Sequence, residues 1–550
     1  MITDFDSDAA ASSLNCDVCV VGGGAVGLAL AVTLADAGVD VLVLEGGGQT
    51  LESRSQALQR GESVGHPFPN IDVGRYRVLG GTTTFWGGQV VPFDRFVTSA
   101  RPWAGHTAWP IDPQELERYF QHAYALLGLA DAELDDDKVW GLLGTPKPAL
   151  GDRLEMVMTR WLKTRNFSKL FAKQLQSPTG PRVLTHANVV ALRLQDDRKS
   201  VRSLAVRSLK GKTGEVTAKR FVLASGSLEI TRLLLHPLAD GSNAPWSDSA
   251  HLGTPLIDHL DCIAGEVEIL DHRRFRELFD NIFVGGHKYY PKMRLAPVTQ
   301  REEGLVDIAA QFRYKTRFSE HLEYLKMFVR SLKEGGVPKS VGSTDRWVMK
   351  MLKVKEGEGH VSLLSLPGHI AAVFATSLPL ALRYFKDRRS FKPRDAEVSL
   401  GFFCEQLPTS RSRIQLGDQT DELGLRRIRV DWQIDGRELA TMRRFGMLIK
   451  EEFEQQGLAT VTLDPRLVNE DPAFTNEIFD AIHQMGSTRM GRSTEDGFVD
   501  ADLKVFGIDN LFIAGSTVFP STGFANPTFT AIALSLRLGR HLSGAARAVA

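Results

Sequence analysis

Cysteine is scarce in this sequence: four residues in a chain of 550 cannot form the dense disulfide framework of a small secreted domain. We therefore expect reduced thiols and a cytoplasmic protein. Cys16 and Cys19 form a C-x-x-C pattern, but residues three apart on the predicted strand point to opposite faces, about 10 Å apart. The fourteen histidines show no His-Glu-x-x-His spacing, so no metal site is predicted.

An excess of charge of either sign is also absent. Lys and Arg together number 66, as do Asp and Glu, so no net field attracts nucleic acid, and no nucleic-acid partner is expected. The first positive charge is Arg54, so the basic region that begins a secretory signal is not expected. Hydrophobic residues make up 43% and charged residues 24%, values typical of globular proteins, and the length allows several domains.

Long uncharged runs are rare. Val361–Leu382 carries no Asp, Glu, Lys or Arg and is long enough to span a bilayer, but Pro367, Gly368 and Pro379 interrupt it. We interpret this stretch as a buried helical insertion or a surface patch, with weak membrane contact as the alternative.

Glycine, in contrast, is abundant at 50 residues, and its first cluster lies in a βαβ unit. Cys16–Val21 predicts a buried parallel strand, Ala25–Ala37 a helix and Val39–Leu44 a second strand. The turn between the first strand and the helix carries the pattern G-x-G-x-x-G at 22–27. This order of strand, glycine motif and helix is typical of dinucleotide-binding domains.

Each residue of the motif has a physical role. Gly22 permits the tight turn, Gly24 lets the backbone approach a pyrophosphate, and Gly27 lets the helix pack closely on the strand. Amide groups at the helix N-terminus then face the phosphates. Glu45, after the second strand, is placed to accept hydrogen bonds from a ribose diol. The motif alone does not distinguish nicotinamide from flavin adenine dinucleotides.

A second glycine-rich segment, at 79–88, favours the flavin. It is too rich in glycine and threonine for a regular helix, and it offers backbone amides, three hydroxyl groups and an indole ring. A large, permanently held cofactor needs a second contact surface of this kind. The residues that we expect to contact FAD here are Gly81, Thr82, Thr83, Trp86, Gly87 and Gly88.

Two C-terminal segments carry candidate catalytic residues. His483 begins the segment H-Q-M-G-S-T-R-M-G, and Asn526 lies in G-F-A-N-P-T. Histidine can accept a proton near neutral pH, and asparagine can orient a substrate oxygen without titrating. Asp258 and His259 could form a second acid–base pair, although a satisfied hydrogen bond at a domain boundary is the preferred interpretation.

Together these segments resemble the glucose-methanol-choline (GMC) oxidoreductases. The resemblance rests on the opening motif with Glu45, the Gly-Gly-Thr loop with Trp86, the Leu-Ala-Ser-Gly strand end at 223–226, and the two C-terminal segments. It implies an α/β protein with a discontinuous Rossmann-like FAD-binding domain and a second α+β substrate-binding domain built on an antiparallel sheet. The histidine followed by an asparagine is similar to the branch that contains pyranose 2-oxidase, bacterial glycoside 3-oxidases and related sugar dehydrogenases.

We place the domains accordingly. The FAD-binding domain takes 15–260 and 470–550, with excursions of the substrate domain within 95–180. The substrate-binding domain takes 261–469, with a helical insertion around 313–392. Residues 1–14 are predicted to be disordered.

The resemblance also implies residue roles. His483 would be the catalytic base and Asn526 the second catalytic residue, and both would contact the substrate together with Gln406 of the segment Glu-Gln-Leu-Pro. Phe85 stands where some relatives attach FAD through a histidine, so we expect FAD without a covalent bond. The other residues expected to bind FAD are Val189, Gly226, Gly515, Ser516, Asn526 and Thr528.

The implied reaction is oxidation of a secondary alcohol of a sugar or glycoside to a ketone, with hydride transfer to FAD and electrons passed to dioxygen or another acceptor. Two alternatives stay open. One is a membrane-associated FAD dehydrogenase of another alcohol that reduces a quinone or cytochrome. The other is a redox-neutral flavoprotein lyase or isomerase.

Overall fold

We describe the fold from a computed structural model. It describes residues 1–7, 13–144, 146–315 and 396–544, together with Pro367, Gly368, Ile370, Ala371, Val373, Arg383 and 388–390. Most of the predicted helical insertion and of the stretch Val361–Leu382 therefore lies outside the described residues.

The described chain contains twenty strands and thirteen α-helices. The strands are β1 (Ile2–Asp4), β2 (Ser13–Val21), β3 (Val41–Leu44), β4 (Glu62–Gly65), β5 (Gln89–Val90), β6 (Leu154–Trp161), β7 (Arg182–Thr185), β8 (Asn188–Leu194), β9 (Val201–Arg207), β10 (Thr213–Leu223), β11 (Leu260–Ile269), β12 (Ile282–Val284), β13 (His287–Leu295), β14 (Ile308–Lys315), β15 (Glu397–Cys404), β16 (Arg413–Thr420), β17 (Arg426–Trp432), β18 (Ala459–Leu463), β19 (Phe479–Asp480) and β20 (Leu511–Ile513). The helices are α1 (Ala25–Asp36), α2 (Ser53–Gln56), α3 (Arg95–Thr98), α4 (Pro113–Leu126), α5 (Asp136–Leu142), α6 (Phe167–Leu170), α7 (Ala172–Gln176), α8 (Ser227–Leu235), α9 (His272–Phe279), α10 (Pro297–Glu303), α11 (Leu439–Gln455), α12 (Pro465–Val468) and α13 (Pro527–Leu542).

The first sheet is mostly parallel. Its order is β1-β7-β3-β2-β10-β9-β8, with β20 paired to the end of β10. The pairs β10–β9 and β9–β8 are antiparallel, and the other pairs are parallel. Val21 pairs with Leu44 on one side and Leu223 on the other, so these strands end at one edge of the sheet. Ligands of open α/β folds bind at the carboxyl ends of parallel strands, and this edge is therefore the expected cofactor site.

The second sheet is antiparallel, in the order β18-β11-β15-β14-β13-β6-β5, with β12 paired to β13 and β19 to β11. Helix α11 covers one face, where the rings of Phe402 and Phe445 lie 5.2 Å apart. Side chains alternate along β13, so that Met293 packs into this core while its neighbours Lys292 and Arg294 face the other way, toward the first domain. A third sheet, β16-β17-β4, joins the two parts.

The fold class predicted from the sequence is confirmed: a parallel, Rossmann-like sheet and an antiparallel second sheet have separate hydrophobic cores. The first core is built from two separate parts of the chain, because β20 and α13 return to it after the second sheet. Strand β6 of the second sheet lies inside the range 95–180. Among the described residues no helix has the length and hydrophobicity needed to cross a bilayer.

Two local predictions are wrong. The N-terminus is not disordered at Ile2–Asp4, which pairs with β7 while Phe5 is buried, nor at Ser13 and Leu14, which begin β2. Residues 313–315, placed in a helical insertion, instead end strand β14.

The close packing of α1 on β2 gives a testable prediction. A Cβ atom at Gly27 would lie 2.0 Å from the carbonyl oxygen of Gly22, so Gly27→Ala forces the helix away from the sheet. We expect a loss of about 2–3 kcal/mol in unfolding free energy, measured by chemical denaturation.

Gly141→Ala is the matched control, because its Cβ would meet no atom within 4 Å and it lies in a helix. At this position alanine should leave the unfolding free energy unchanged or raise it by about 0.5–1 kcal/mol. Equal effects of the two substitutions would contradict the packing argument.

Candidate active site

Two glycine-rich loops meet at the carboxyl edge of the parallel sheet. The amide of Gly80 donates a hydrogen bond to the carbonyl of Gly23 at 2.8 Å. A Cβ at Gly81 would lie 2.9 Å from Cα of Gly24, so only glycine allows this approach. The loop at 79–88 contains a short 3₁₀-helix, Gly81–Thr84. The second loop therefore forms one wall of a cleft whose floor is the first motif.

The cleft collects most of the residues predicted to bind the cofactor or the substrate. Those that line it are Gly22, Gly24, Glu45, Gly81, Thr82, Thr83, Trp86, Val189, Gly226, Gly515, Ser516, Thr528 and His483. Those outside its lining are Gly27, Gly87, Gly88, Gln406 and Asn526. The structure thus brings together both ends of the chain around one elongated site.

The three motif glycines meet different surroundings. Side chains at Gly22 and Gly27 would collide with backbone, at 2.7 and 2.0 Å, whereas a Cβ at Gly24 would meet no atom within 4 Å. The first two are fixed by packing within the protein. The open space at Gly24, at the N-terminus of α1, is a cradle that a side chain would fill, and it fits the pyrophosphate of FAD.

Glu45 lies at the cleft, but its carboxylate already has protein partners. It accepts hydrogen bonds from the amides of Gly23 and Gly47, each at 2.8 Å. Burial raises the pKa of Glu45 despite these bonds. Its predicted contact with a ribose stays a prediction, and its visible role is to hold the glycine turn against β3.

A cluster of arginines on the cleft wall was not predicted from the sequence. Arg75, Arg77 and Arg232 surround Glu229 at 3.1, 3.8 and 3.4 Å. Burial would raise the pKa of Glu229, but the three guanidinium groups outweigh it and hold the pKa at about 2. Arg232 also pairs with Asp421 at 2.7 Å, so the three cations face two carboxylates. The remaining positive charge beside the cleft suits an anionic cofactor. The only sequence signal was the Arg-x-Arg spacing just before the Gly-Gly-Thr loop.

The loop that carries His483 is tied to the parallel sheet through its neighbour. Hydroxyl groups of Ser227 and Ser516 both donate to the carbonyl of Gln484, at 2.7 and 2.8 Å. The side-chain Nε2 of Gln484 is buried at the cleft without a hydrogen-bond partner among the described residues. Such an unsatisfied donor is the second feature that fits a cofactor with acceptor atoms here.

His483 contacts a second histidine. Its Nδ1 lies 2.8 Å from Nδ1 of His259, and the two rings are nearly perpendicular, at 86°. Nε2 of His259 lies 2.5 Å from the carbonyl oxygen of Gly523. Burial lowers the pKa of His259 to about 4. Burial, His259 and Lys292 hold the pKa of His483 well below its usual value, so both rings are neutral at neutral pH.

Asp258 holds the backbone around this pair. Its carboxylate accepts hydrogen bonds from the amides of His259, Ala481 and His483, at 2.7 to 3.1 Å. Burial and the neighbouring carboxylate of Asp480 raise its pKa well above the usual value. The preferred interpretation of a satisfied hydrogen bond at the domain boundary describes Asp258 well, whereas His259 reaches the candidate base.

A buried lysine, Lys292 of β13, lies near the histidines. It is 3% exposed, and its ammonium lies 5.0 Å from the ring centre of Phe403 and 5.9 Å from that of Phe524. Among the residues that the structure describes, this ammonium has no hydrogen-bond acceptor and no ion-pair partner. Burial lowers its pKa to about 8. Nothing in the local sequence distinguished this lysine from one on a solvated strand.

Two predicted substrate residues lie outside the cleft lining. Gln406 is fully buried, and its amide bonds to the backbone of Asp258 and Gln433 and to the indole of Trp432. The polar atoms of the Gln406 side chain are therefore bonded to other protein groups and do not face the cleft. Asn526 is the N-cap of α13, and its side chain makes no capping bond.

The comparisons with known proteins agree with this geometry. Residues 408–535 match a family model described as GMC oxidoreductase, and residues 15–61 match one described as FAD binding domain. The first range contains the His483 and Asn526 segments, and the second contains the glycine motif and Glu45.

Curated relatives match about a quarter of the chain. A C-glycoside 3-oxidase of Microbacterium trichothecenolyticum is 30% identical over 148 residues, which is 26% of this chain and 27% of that protein. A 2-methyl-1,2-propanediol dehydrogenase of Mycolicibacterium austroafricanum is 29% identical over 26% of this chain and 24% of that protein. The chain thus aligns with about a quarter of these relatives.

Solved structures match over nearly the whole chain. A formate oxidase superposes with a TM-score of 0.56 at 18% identity, over 98% of this chain and 99% of the other. A pyridoxine 4-oxidase from Mesorbium loti gives a TM-score of 0.54 at 18% identity, over 96% and 99%. At these identities the likeness establishes the fold. The two family models confirm the resemblance to the GMC oxidoreductases and FAD as the cofactor.

The cradle at Gly24 gives a prediction. Gly24→Ala should leave the stability of the apoprotein within about 1 kcal/mol of the wild type, because the new Cβ meets no protein atom. The same methyl group would crowd the pyrophosphate, so FAD affinity should fall roughly tenfold or more, measured by fluorescence titration of the apoprotein. Unchanged FAD affinity would show that the pyrophosphate lies elsewhere.

The buried ammonium of Lys292 gives a prediction about pH. In the unfolded chain Lys292 stays protonated up to about pH 10.4, whereas in the folded protein it releases its proton near pH 8. Between these values the unfolded state binds more protons, so this group makes stability rise with pH. Lys292→Met should therefore stabilise the protein at pH 7, on the order of 1 kcal/mol, and lose that advantage at about pH 10.

Chemical denaturation at several pH values measures this effect. Lys138→Met is the control, because that side chain is 69% exposed. A stability difference between wild type and Lys292→Met that does not change with pH would contradict the buried charge.

Proposed function

We propose that this protein is an FAD-dependent oxidoreductase that oxidises a secondary alcohol of a sugar or glycoside to a ketone. The single observation that supports it best is the position of His483, a neutral imidazole that lines the cleft in which FAD fits. The substrate class is supported by the relative named C-glycoside 3-oxidase, which is 30% identical to this chain over 26% of the chain's length.

The protein residues would act on a proton and on the substrate's position. When bound, FAD supplies the acceptor for the hydride that leaves the alcohol carbon. His483 takes the hydroxyl proton, for which it must be unprotonated beforehand, and its lowered pKa meets this condition. Asn526, in the loop that packs against His259, would orient the substrate oxygen. Loss of the hydroxyl proton and of the hydride converts the alcohol into the ketone.

FAD would be held without a covalent bond. Phe85, at the position where some relatives carry a linking histidine, has no nucleophilic atom. Its ring is 55% exposed and stacks on Tyr76, with ring centres 4.1 Å apart. Tyr76 itself lines the cleft. The stacked pair would therefore offer FAD an aromatic surface and no covalent bond.

Anaerobic flavin bleaching tests the proposed function. The holoenzyme is mixed with monosaccharides, glycosides, sterols and simple alcohols, and we expect a sugar or glycoside to reduce the flavin. His483→Ala should slow that reduction about 10²–10⁴-fold, because it removes the base. His122→Ala, on the exposed face of α4, is the control and should behave as the wild type.

The outcomes separate the alternatives. If only a simple alcohol bleaches the flavin, the result would favour a dehydrogenase of another alcohol. One relative is named as such an enzyme, a dehydrogenase of 2-methyl-1,2-propanediol. Turnover of a substrate without bleaching would indicate a redox-neutral lyase or isomerase. Oxygen consumption, compared with reduction of a quinone, then identifies dioxygen or another acceptor.

A further inference from the structure

We propose that His259 is a positioning residue that fixes the tautomer of His483 and so makes Nε2 of His483 the atom that accepts the substrate proton. The proposal rests on the proposed function. It is carried by a continuous hydrogen-bonded chain from the carbonyl of Gly523 through His259 to His483.

The direction of each hydrogen bond in this chain follows from its fixed end. The carbonyl oxygen of Gly523 can only accept, so Nε2 of His259, 2.5 Å away, carries a hydrogen and donates it. A neutral imidazole has one N–H, so Nδ1 of His259 is an acceptor. Nδ1 of His483, 2.8 Å from it, must then donate.

The consequence falls on the remaining nitrogen. Neutral His483 with hydrogen on Nδ1 has its lone pair on Nε2. No hydrogen bond to this Nε2 is present among the described residues, and the ring lines the cleft. In the opposite tautomer Nε2 would carry a hydrogen and could not remove a proton. The partner of Nδ1 therefore decides whether the base functions, as in other imidazole bases.

Both ends of the chain are rigid. His259 is fully buried, and the amide of each histidine is bound by the carboxylate of Asp258. At the other end the loop around Gly523 is fixed from two sides. The guanidinium of Arg101 donates to the carbonyl of Thr522 at 2.9 Å, and the amide of Phe524 donates to Asp307 at 2.9 Å.

The charged groups around the pair favour its neutral form. The ammonium of Lys292 lowers the pKa of both histidines. The carboxylate of Glu405 has the opposite effect on His259, but it is paired with Arg101 at 2.6 Å. Asp258 is bonded to backbone amides and lies beside Asp480. A neutral pair in a fixed tautomer is thus the state that the surroundings select.

Two substitutions separate this role from simple packing. In His259→Asn the amide oxygen can take the place of Nδ1 as acceptor, whereas His259→Leu fills similar volume without any acceptor. We expect His259→Leu to slow anaerobic flavin reduction at least about 100-fold, with unchanged FAD content and unchanged substrate KM. His259→Asn should recover most of that loss.

Nitrogen-15 NMR of histidine-labelled holoenzyme reads the tautomer without turnover, with His483→Gln identifying the His483 signals. We expect hydrogen on Nδ1 and a bare Nε2 in the wild type and in His259→Asn, and a mixture in His259→Leu. Hydrogen on Nε2 of His483 in the wild type would overturn the proposal, even if no variant folded. So would equal rate losses in both variants with an unchanged tautomer, which would indicate packing alone.

The NMR result also keeps the two hypotheses apart. If no alcohol bleaches the flavin but the wild-type tautomer is as expected, the proposed function fails while the hydrogen-bonded chain stands. If bleaching occurs and depends on His483 but not on His259, the function stands and the positioning role fails.

Discussion

The carboxylate of Asp258 is the contact on which the geometry of the site depends. It lies just before β11 in the sequence, yet it binds the amides of Ala481 and His483, 223 and 225 residues away. A buried carboxylate requires such donors, because an unsatisfied one costs several kcal/mol. Asp258 therefore fixes the loop of His483 where the two sheets meet, and the contact between the two histidines follows from that anchorage.

The electrostatics of the site have an energetic cost that the fold could avoid. A methionine at Lys292 would fill similar space without a buried charge, yet this position holds an ammonium between two aromatic rings. The ring faces of Phe403 and Phe524 offset part of the cost through their negative potential. Burial is the main cause of the lowered pKa of the neighbouring imidazoles, and this charge lowers it further. The destabilising ammonium thus adds to the effect that keeps the candidate base neutral.

The predictable parts of this structure are those encoded locally. The βαβ unit was predicted because Gly22, Gly24 and Gly27 stand between apolar runs. The contact of His259 with His483 was not predicted, because it joins positions 224 residues apart whose local patterns are unremarkable. Strand β1 was missed for a similar reason, since three residues carry no periodicity of their own and are held by pairing with β7.

The buried ion pairs behind the site are better explained by positioning than by stability. Arg101 and Glu405 pair in the interior, where such pairs contribute little net stability relative to apolar residues. Burial would raise the pKa of Glu405, but Arg101 and His106 hold it at about 2, so the carboxylate stays charged. The charged Arg101 in turn holds the carbonyl of Thr522, next to the Gly523 carbonyl that orients His259. An apolar replacement would fill the space but leave that carbonyl free to turn, and the acceptor that sets the tautomers would lose its fixed direction.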